Sequence, residues 1–196
     1  MVWLILSVAV VLPLAVAATS PLLQWREPVY IAAGLAGVVA LALLLVQPLL
    51  AGGHLPGLVG VSGRRAHRRL GVALVVSVAL HVVGLWITSP SDVVDALLLA
   101  SPTSFSIWGV LAMWSLFAAA LLAFLRRRLR LSWRIWRIAH TALATVIVGA
   151  SVAHAMLVEG TMGTISKAIL CTLAIVATVA VVLDRRGRSA LARTAP

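Results

Sequence analysis

RRAHRRLGVALVVSVALHVVG, residues 64–84, opens with four arginines around one histidine and runs on as an apolar segment to a second histidine. A companion stretch, WRIWRIAHTALATVIVGASVAH, residues 133–154, follows the same plan. His67 and His81 are 14 residues apart, and so are His140 and His154. At about 100° per residue, 14 steps turn about 1400°, roughly 40° from four full turns, so both members of a pair share one helix face. At about 1.5 Å per residue they stand about 21 Å apart along the axis. Two such helices offer an imidazole each at an upper and a lower level.

The surroundings of these stretches set the class. Of the 196 residues, 62% are hydrophobic and 11% charged, with a mean hydropathy of +1.11. A soluble domain averages about 45–50% apolar and about 25% charged, so this chain is built against lipid. Six apolar runs approach the roughly 20 residues needed to cross a bilayer. They fall near residues 2–18, 29–51, 67–88, 106–125, 135–157 and 164–183. The expected fold is all-α: a polytopic bundle of six transmembrane helices over residues 1–183, with a short basic tail without fixed structure over 184–196. Ala15 to Ala18 resemble a small-residue cleavage site. No Lys or Arg precedes the first run, so an uncleaved helix is expected there.

Charge placement orients the bundle. Arg64, Arg65, Arg68 and Arg69 precede the third run, and Arg126, Arg127, Arg128, Arg130, Arg134 and Arg137 lie between the fourth and fifth. Arg185, Arg186, Arg188 and Arg193 follow the sixth. These alternate connections hold nearly all of the basic residues, whereas Glu27, Asp92, Asp95 and Glu159 sit on the opposite ones. Basic loops stay in the cytoplasm, so both termini are expected there, in a multi-pass protein of the cell (inner) membrane. The net charge of +11 is a topology signal clustered at the ends of spans rather than a nucleic-acid footprint. The single cysteine, Cys171, excludes an internal disulfide and a multi-cysteine iron–sulfur site.

In this orientation the third and fifth runs both point outward. His67 then faces His140 near the cytoplasmic side, and His81 faces His154 near the outer side. Polar side chains inside a membrane are costly and usually functional. Two histidines at one level can hold the iron of a heme, each ring's second nitrogen being satisfied by a hydrogen bond. Other readings of the four rings are hydrogen bonding between helices, a zinc site or a proton relay. Gly71, Gly84 and Gly149 would let a flat ring, or a neighbouring helix, approach the backbone. Arg68, Arg134 and Arg137 stand closest to the inner pair and are the arginines placed to hold heme propionates. His54, in a glycine-rich cytoplasmic loop, reads as an exposed loop residue. Trp133 and Trp136 read as interfacial belt residues, and Trp86, Trp108 and Trp114 as lipid-facing or packing residues.

The segments Arg64 to Gly71, Leu80 to Gly84, Trp133 to His140 and Ala153-His154 together resemble the ferric reductase-like transmembrane domain. That family includes the membrane parts of ferric reductases and NADPH oxidases, and the bacterial heme subunit that feeds a periplasmic methionine sulfoxide reductase. The resemblance implies that His67, His81, His140 and His154 are axial ligands of two b-type hemes. It further implies electron flow from a cytoplasmic flavin or nicotinamide donor to an acceptor outside. No nucleotide-binding loop follows the sixth run. The expected donor is therefore a separate flavin (FMN or FAD)/NAD(P)H reductase, or quinol. A ferric complex or a periplasmic redox protein is the expected acceptor, and Asp92 and Asp95 could attract a cationic one. The chain would then be the electron-transfer subunit of an oxidoreductase, without catalytic residues of its own. The alternative is a transporter or structural subunit without heme. The absence of Asp, Glu, Lys and Arg from the central spans speaks against transport.

Overall fold

The computed structural model describes the backbone of residues 1–194 and the side chains of residues 1–184. Among the described residues the architecture is all-α, with seven helices: α1 (Val2–Ala18), α2 (Pro28–Gly52), α3 (Gly60–Thr88), α4 (Pro90–Leu97), α5 (Ser104–Leu125), α6 (Trp133–Leu157) and α7 (Thr164–Thr194). A single 3-10 turn, Pro21–Leu23, links α1 to α2. Five helices, α2, α3, α5, α6 and α7, are long and apolar enough to cross a membrane. Helix α1 is shorter, at 17 residues.

Local chemistry explains the boundaries. Pro28 occupies the first turn of α2, where its missing N–H costs nothing. Gly53 ends that helix with φ 75°, the left-handed conformation that glycine adopts without strain. The Ser132 hydroxyl accepts from the Ile135 amide at 3.3 Å and starts α6. Three features differ from the sequence expectation. Helices α3 and α6 begin before the apolar runs, so that their arginines and Trp133 already lie on helix. The connection between α3 and α5 folds as the short amphipathic helix α4, opened by Pro90 and carrying Asp92 in its first turn. Helix α7 continues beyond residue 183 to Thr194, so the basic tail is helical through that residue.

The helices pack as two antiparallel hairpins, α2 with α3 and α5 with α6, with α7 seated against α2 and α6. Helix α2 is the most buried span. The core joins Leu41, Leu44 and Leu45 of α2 to Leu74, Leu116, Ile147 and Leu170. Apolar residues are also abundant outside. On α3, Val72, Val76, Leu80, Val83 and Ile87 are exposed at intervals of three and four, forming a single outward stripe. Lipid is the solvent for such a stripe, so its exposure costs nothing.

Candidate functional site

The sharing of one face by residues seven apart defines the inner side of α3 and α6. On α3 the sequence His67, Leu74, His81 occupies it, and on α6 the sequence His140, Ile147, His154. The four imidazoles meet at two levels. His67 and His140 have ring centroids 6.3 Å apart and planes at 79°. His81 and His154 stand at 6.4 Å and 79°. Same-level partners of equal spacing require α3 and α6 to run parallel, as the sequence predicted. Leu74 and Ile147, 4% and 6% exposed, form an apolar layer midway between the levels. Each hairpin holds one helix of the pair, and α3 and α6 are not a principal packing pair.

Three rings are pinned by backbone carbonyls. His81 Nδ1 lies 2.8 Å from the Ala33 carbonyl on α2. His154 Nδ1 lies 2.9 Å from the Phe105 carbonyl on α5. His67 Nδ1 lies 3.3 Å from the Gln47 carbonyl, while the Gln47 side-chain amide donates to the His67 carbonyl at 3.3 Å. A carbonyl only accepts, so Nδ1 of His81 and of His154 carries the proton and donates. At His81 and His154 this leaves Nε2 as the nitrogen whose lone pair can bind a metal. His140 is stacked on Trp136, centroids 5.1 Å apart and planes at 12°. Trp136 stacks in turn on Trp133 at 5.0 Å, and the Arg126 guanidinium lies 4.7 Å from the centre of each indole.

Two glycines make the outer contacts possible. A Cβ on Gly37 would stand 3.0 Å from His81 Nδ1, and one on Gly109 would stand 2.8 Å from His154 Nδ1. Each glycine lies four residues after the carbonyl its histidine uses, so the ring crosses the bare backbone to reach it. Of the glycines singled out in the sequence, Gly84 instead lets α3 pack on Ala33, Gly71 faces Gln47, and Gly149 meets nothing within 4 Å. Gly37 and Gly109 were missed. The signal for them lay in the near-equal separations of carbonyl and ring, 48 and 49 residues, across the two hairpins.

The level of His81 and His154 opens into a cavity of about 510 Å³, within the usual range for a ligand site of about 300–1,000 Å³. It reaches from Leu74 and Ile147 to Asp92, Asp95, Glu159 and Lys167. At the other level Arg68, Arg134 and Arg137 are exposed, grouped at the arginine-rich end beside His67 and His140. His54 is exposed, and its Nε2 lies 3.8 Å from the Asp184 carboxylate. Trp86, Trp108 and Trp114 are 47%, 40% and 56% exposed on the outside of the bundle. Trp136 is half-buried against His140, more than a belt residue. Among the described residues no group of three or more His, Cys, Asp or Glu side chains converges as a metal cage.

The family model for the ferric reductase like transmembrane component matches residues 36–151, more than half of the chain. The matched segment spans His67, His81 and His140, three of the four paired histidines, together with His54, and ends just before His154. Comparison with curated proteins and with solved structures gave no match.

Proposed function

Because the chain belongs to the ferric reductase-like transmembrane family, we propose that it carries electrons across the membrane through two bis-histidine b-type hemes. Domains of this family generally bind heme and work with separate redox partners. The observation that carries the reading is the equal geometry of the two imidazole pairs. A histidine nitrogen binds a first-row metal at about 2.0–2.1 Å, and the ring centre lies roughly 1.1 Å further, so two axial rings on one atom have centroids roughly 6.2–6.4 Å apart. The pairs stand at 6.3 and 6.4 Å. His67 with His140 is the inner ligand pair and His81 with His154 the outer one. Arg68, Arg134 and Arg137 hold the inner propionates through charge-assisted hydrogen bonds.

When bound, each heme would supply a one-electron redox centre held by two imidazoles of this chain. The chain's own residues do the rest. The carbonyls of Ala33 and Phe105 fix the proton on Nδ1 of His81 and His154, so that Nε2 is the nitrogen that would bind iron, and the Gln47 carbonyl lies 3.3 Å from His67 Nδ1. Leu74 and Ile147 place an apolar layer between the two levels. In the reading proposed, α1 completes a six-span bundle with both termini in the cytoplasm, in the cell (inner) membrane. The arginine-rich end then faces a separate flavin (FMN or FAD)/NAD(P)H reductase, or quinol. Asp92, Asp95 and Glu159 line the outer cavity and favour a cationic acceptor, either a ferric complex or the basic face of a periplasmic redox protein.

A visible spectrum of the purified protein tests this. Protein from heme-replete cells should show a reduced b-type Soret and α-band with about two hemes per chain. A colourless, well-folded protein would leave a transporter or a structural subunit as the reading.

A further inference from the structure

Lys167 is a charged residue in an apolar setting. It lies in the first turn of α7, its backbone amide bonded to the Gly163 carbonyl at 3.1 Å. Its side chain is only 7% exposed and lines the same cavity as His81 and His154. Nζ donates to the Val158 carbonyl at 2.6 Å. An ammonium carries three N–H donors, so this bond leaves further donors to satisfy. A buried charge persists where a counter-charge and hydrogen bonds meet it. Asp92, Asp95 and Glu159 line the cavity too, yet among the described residues no carboxylate comes within 4.0 Å of Lys167. The start of α7 adds to the demand, because a helix N-terminus carries partial positive charge. Cation and helix end together favour an anion.

Resting on the two-heme reading, we propose that Lys167 is the oxyanion anchor of the outer cavity, binding a carboxylate, with a propionate of the outer heme as its source. The three acids around the cavity disfavour free anions there. A carboxylate carried on a macrocycle held by His81 and His154 does not meet that barrier, because the macrocycle's binding brings it in. The arginines assigned to propionates all lie at the opposite end of the bundle, and among the described residues Lys167 is the one Lys or Arg that lines the outer cavity.

The test uses the full chain, stripped of heme in detergent and titrated with heme or with heme dimethyl ester, whose propionates are esterified. Wild-type protein should fill its outer site at least tenfold more weakly with the ester. Lys167→Met should weaken uptake of native heme at that site to a similar degree and abolish the discrimination, whereas Lys167→Arg should keep it. If wild type does not discriminate but added benzoate shifts the outer Soret band, and does so in wild type and not in Lys167→Met, the carboxylate comes from a free ligand. If monodisperse, helical Lys167→Met matches wild type in both assays, the anchor is overturned while the two-heme reading stands. Failure to take up either porphyrin defeats the two-heme reading itself.

Discussion

Gly109 is the surface over which His154 reaches its carbonyl: a Cβ at that position would stand 2.8 Å from the ring's Nδ1 and 2.9 Å from its Cε1. Gly37 bears the same relation to His81. The bond at stake is the one that fixes the tautomer, and second-shell partners of this kind typically govern about 10–100-fold in metal affinity. Gly109→Val and Gly37→Val should therefore each reduce heme content from two per chain toward one. Gly149→Ala, where a Cβ meets nothing within 4 Å, should retain both. Pyridine hemochrome assay against protein concentration reads the result.

Replacing a ring itself separates the two levels. His81→Ala and His154→Ala should each lose the outer heme and abolish reduction of an external acceptor, while the remaining heme is still reduced from the arginine-rich side. His67→Ala and His140→Ala should remove the inner heme. Two hemes per chain in both His81→Ala and His154→Ala would refute the assignment of ligands.

The inner level has a device that the outer one lacks. Trp136 stacks on His140 at 5.1 Å with the ring planes nearly parallel, and among the described residues its buried indole nitrogen has no hydrogen-bond partner. Stacked aromatic pairs contribute about 0.5–1.5 kcal/mol beyond area burial. Trp136→Ala should weaken retention of the inner heme by up to about tenfold, and Trp136→Phe should restore most of it. Competition with apomyoglobin measures the rate and extent of loss.

Leu74 and Ile147 fill the space between the levels. Truncating a buried Leu or Ile to Ala typically costs about 2–5 kcal/mol, partly through the cavity left behind. Leu74→Ala and Ile147→Ala should lower the midpoint of thermal unfolding in detergent and still bind two hemes, since neither residue touches the ring nitrogens.

His54 provides the contrast. Its contact with Asp184 is long, 3.8 Å, and both side chains are substantially exposed, 41% and 35%. Exposed ion pairs are worth about 0–1 kcal/mol. His54→Ala should leave heme content unchanged and shift stability by less than about 1 kcal/mol, measured by the same thermal assay.

Much of this site could be read along the chain. Helical periodicity alone puts His67 and His81 on one face, and His140 and His154 on another. Leu74 and Ile147 follow from the same rule, seven residues on in each case. Helix α4 was not legible, because its eight residues are polar enough to pass for a loop and are shaped by packing over Val93. The position of Trp136 in the sequence shows only that it fits the membrane interface. Its role appears only when the side chain is seen stacked one turn before His140.

The sequence by itself determined the membrane class, the two levels of histidines and the segregation of charge, since these depend on composition and on rotation per residue. Only the tertiary structure decided which carbonyls hold the rings, why Gly37 and Gly109 have no side chain, and that Lys167 is enclosed beside the outer pair. The ring contacts depend on the register between paired helices, which brings together residues 48 or 49 apart in sequence. Registers of that kind are set by how whole faces interlock, and no local pattern encodes them.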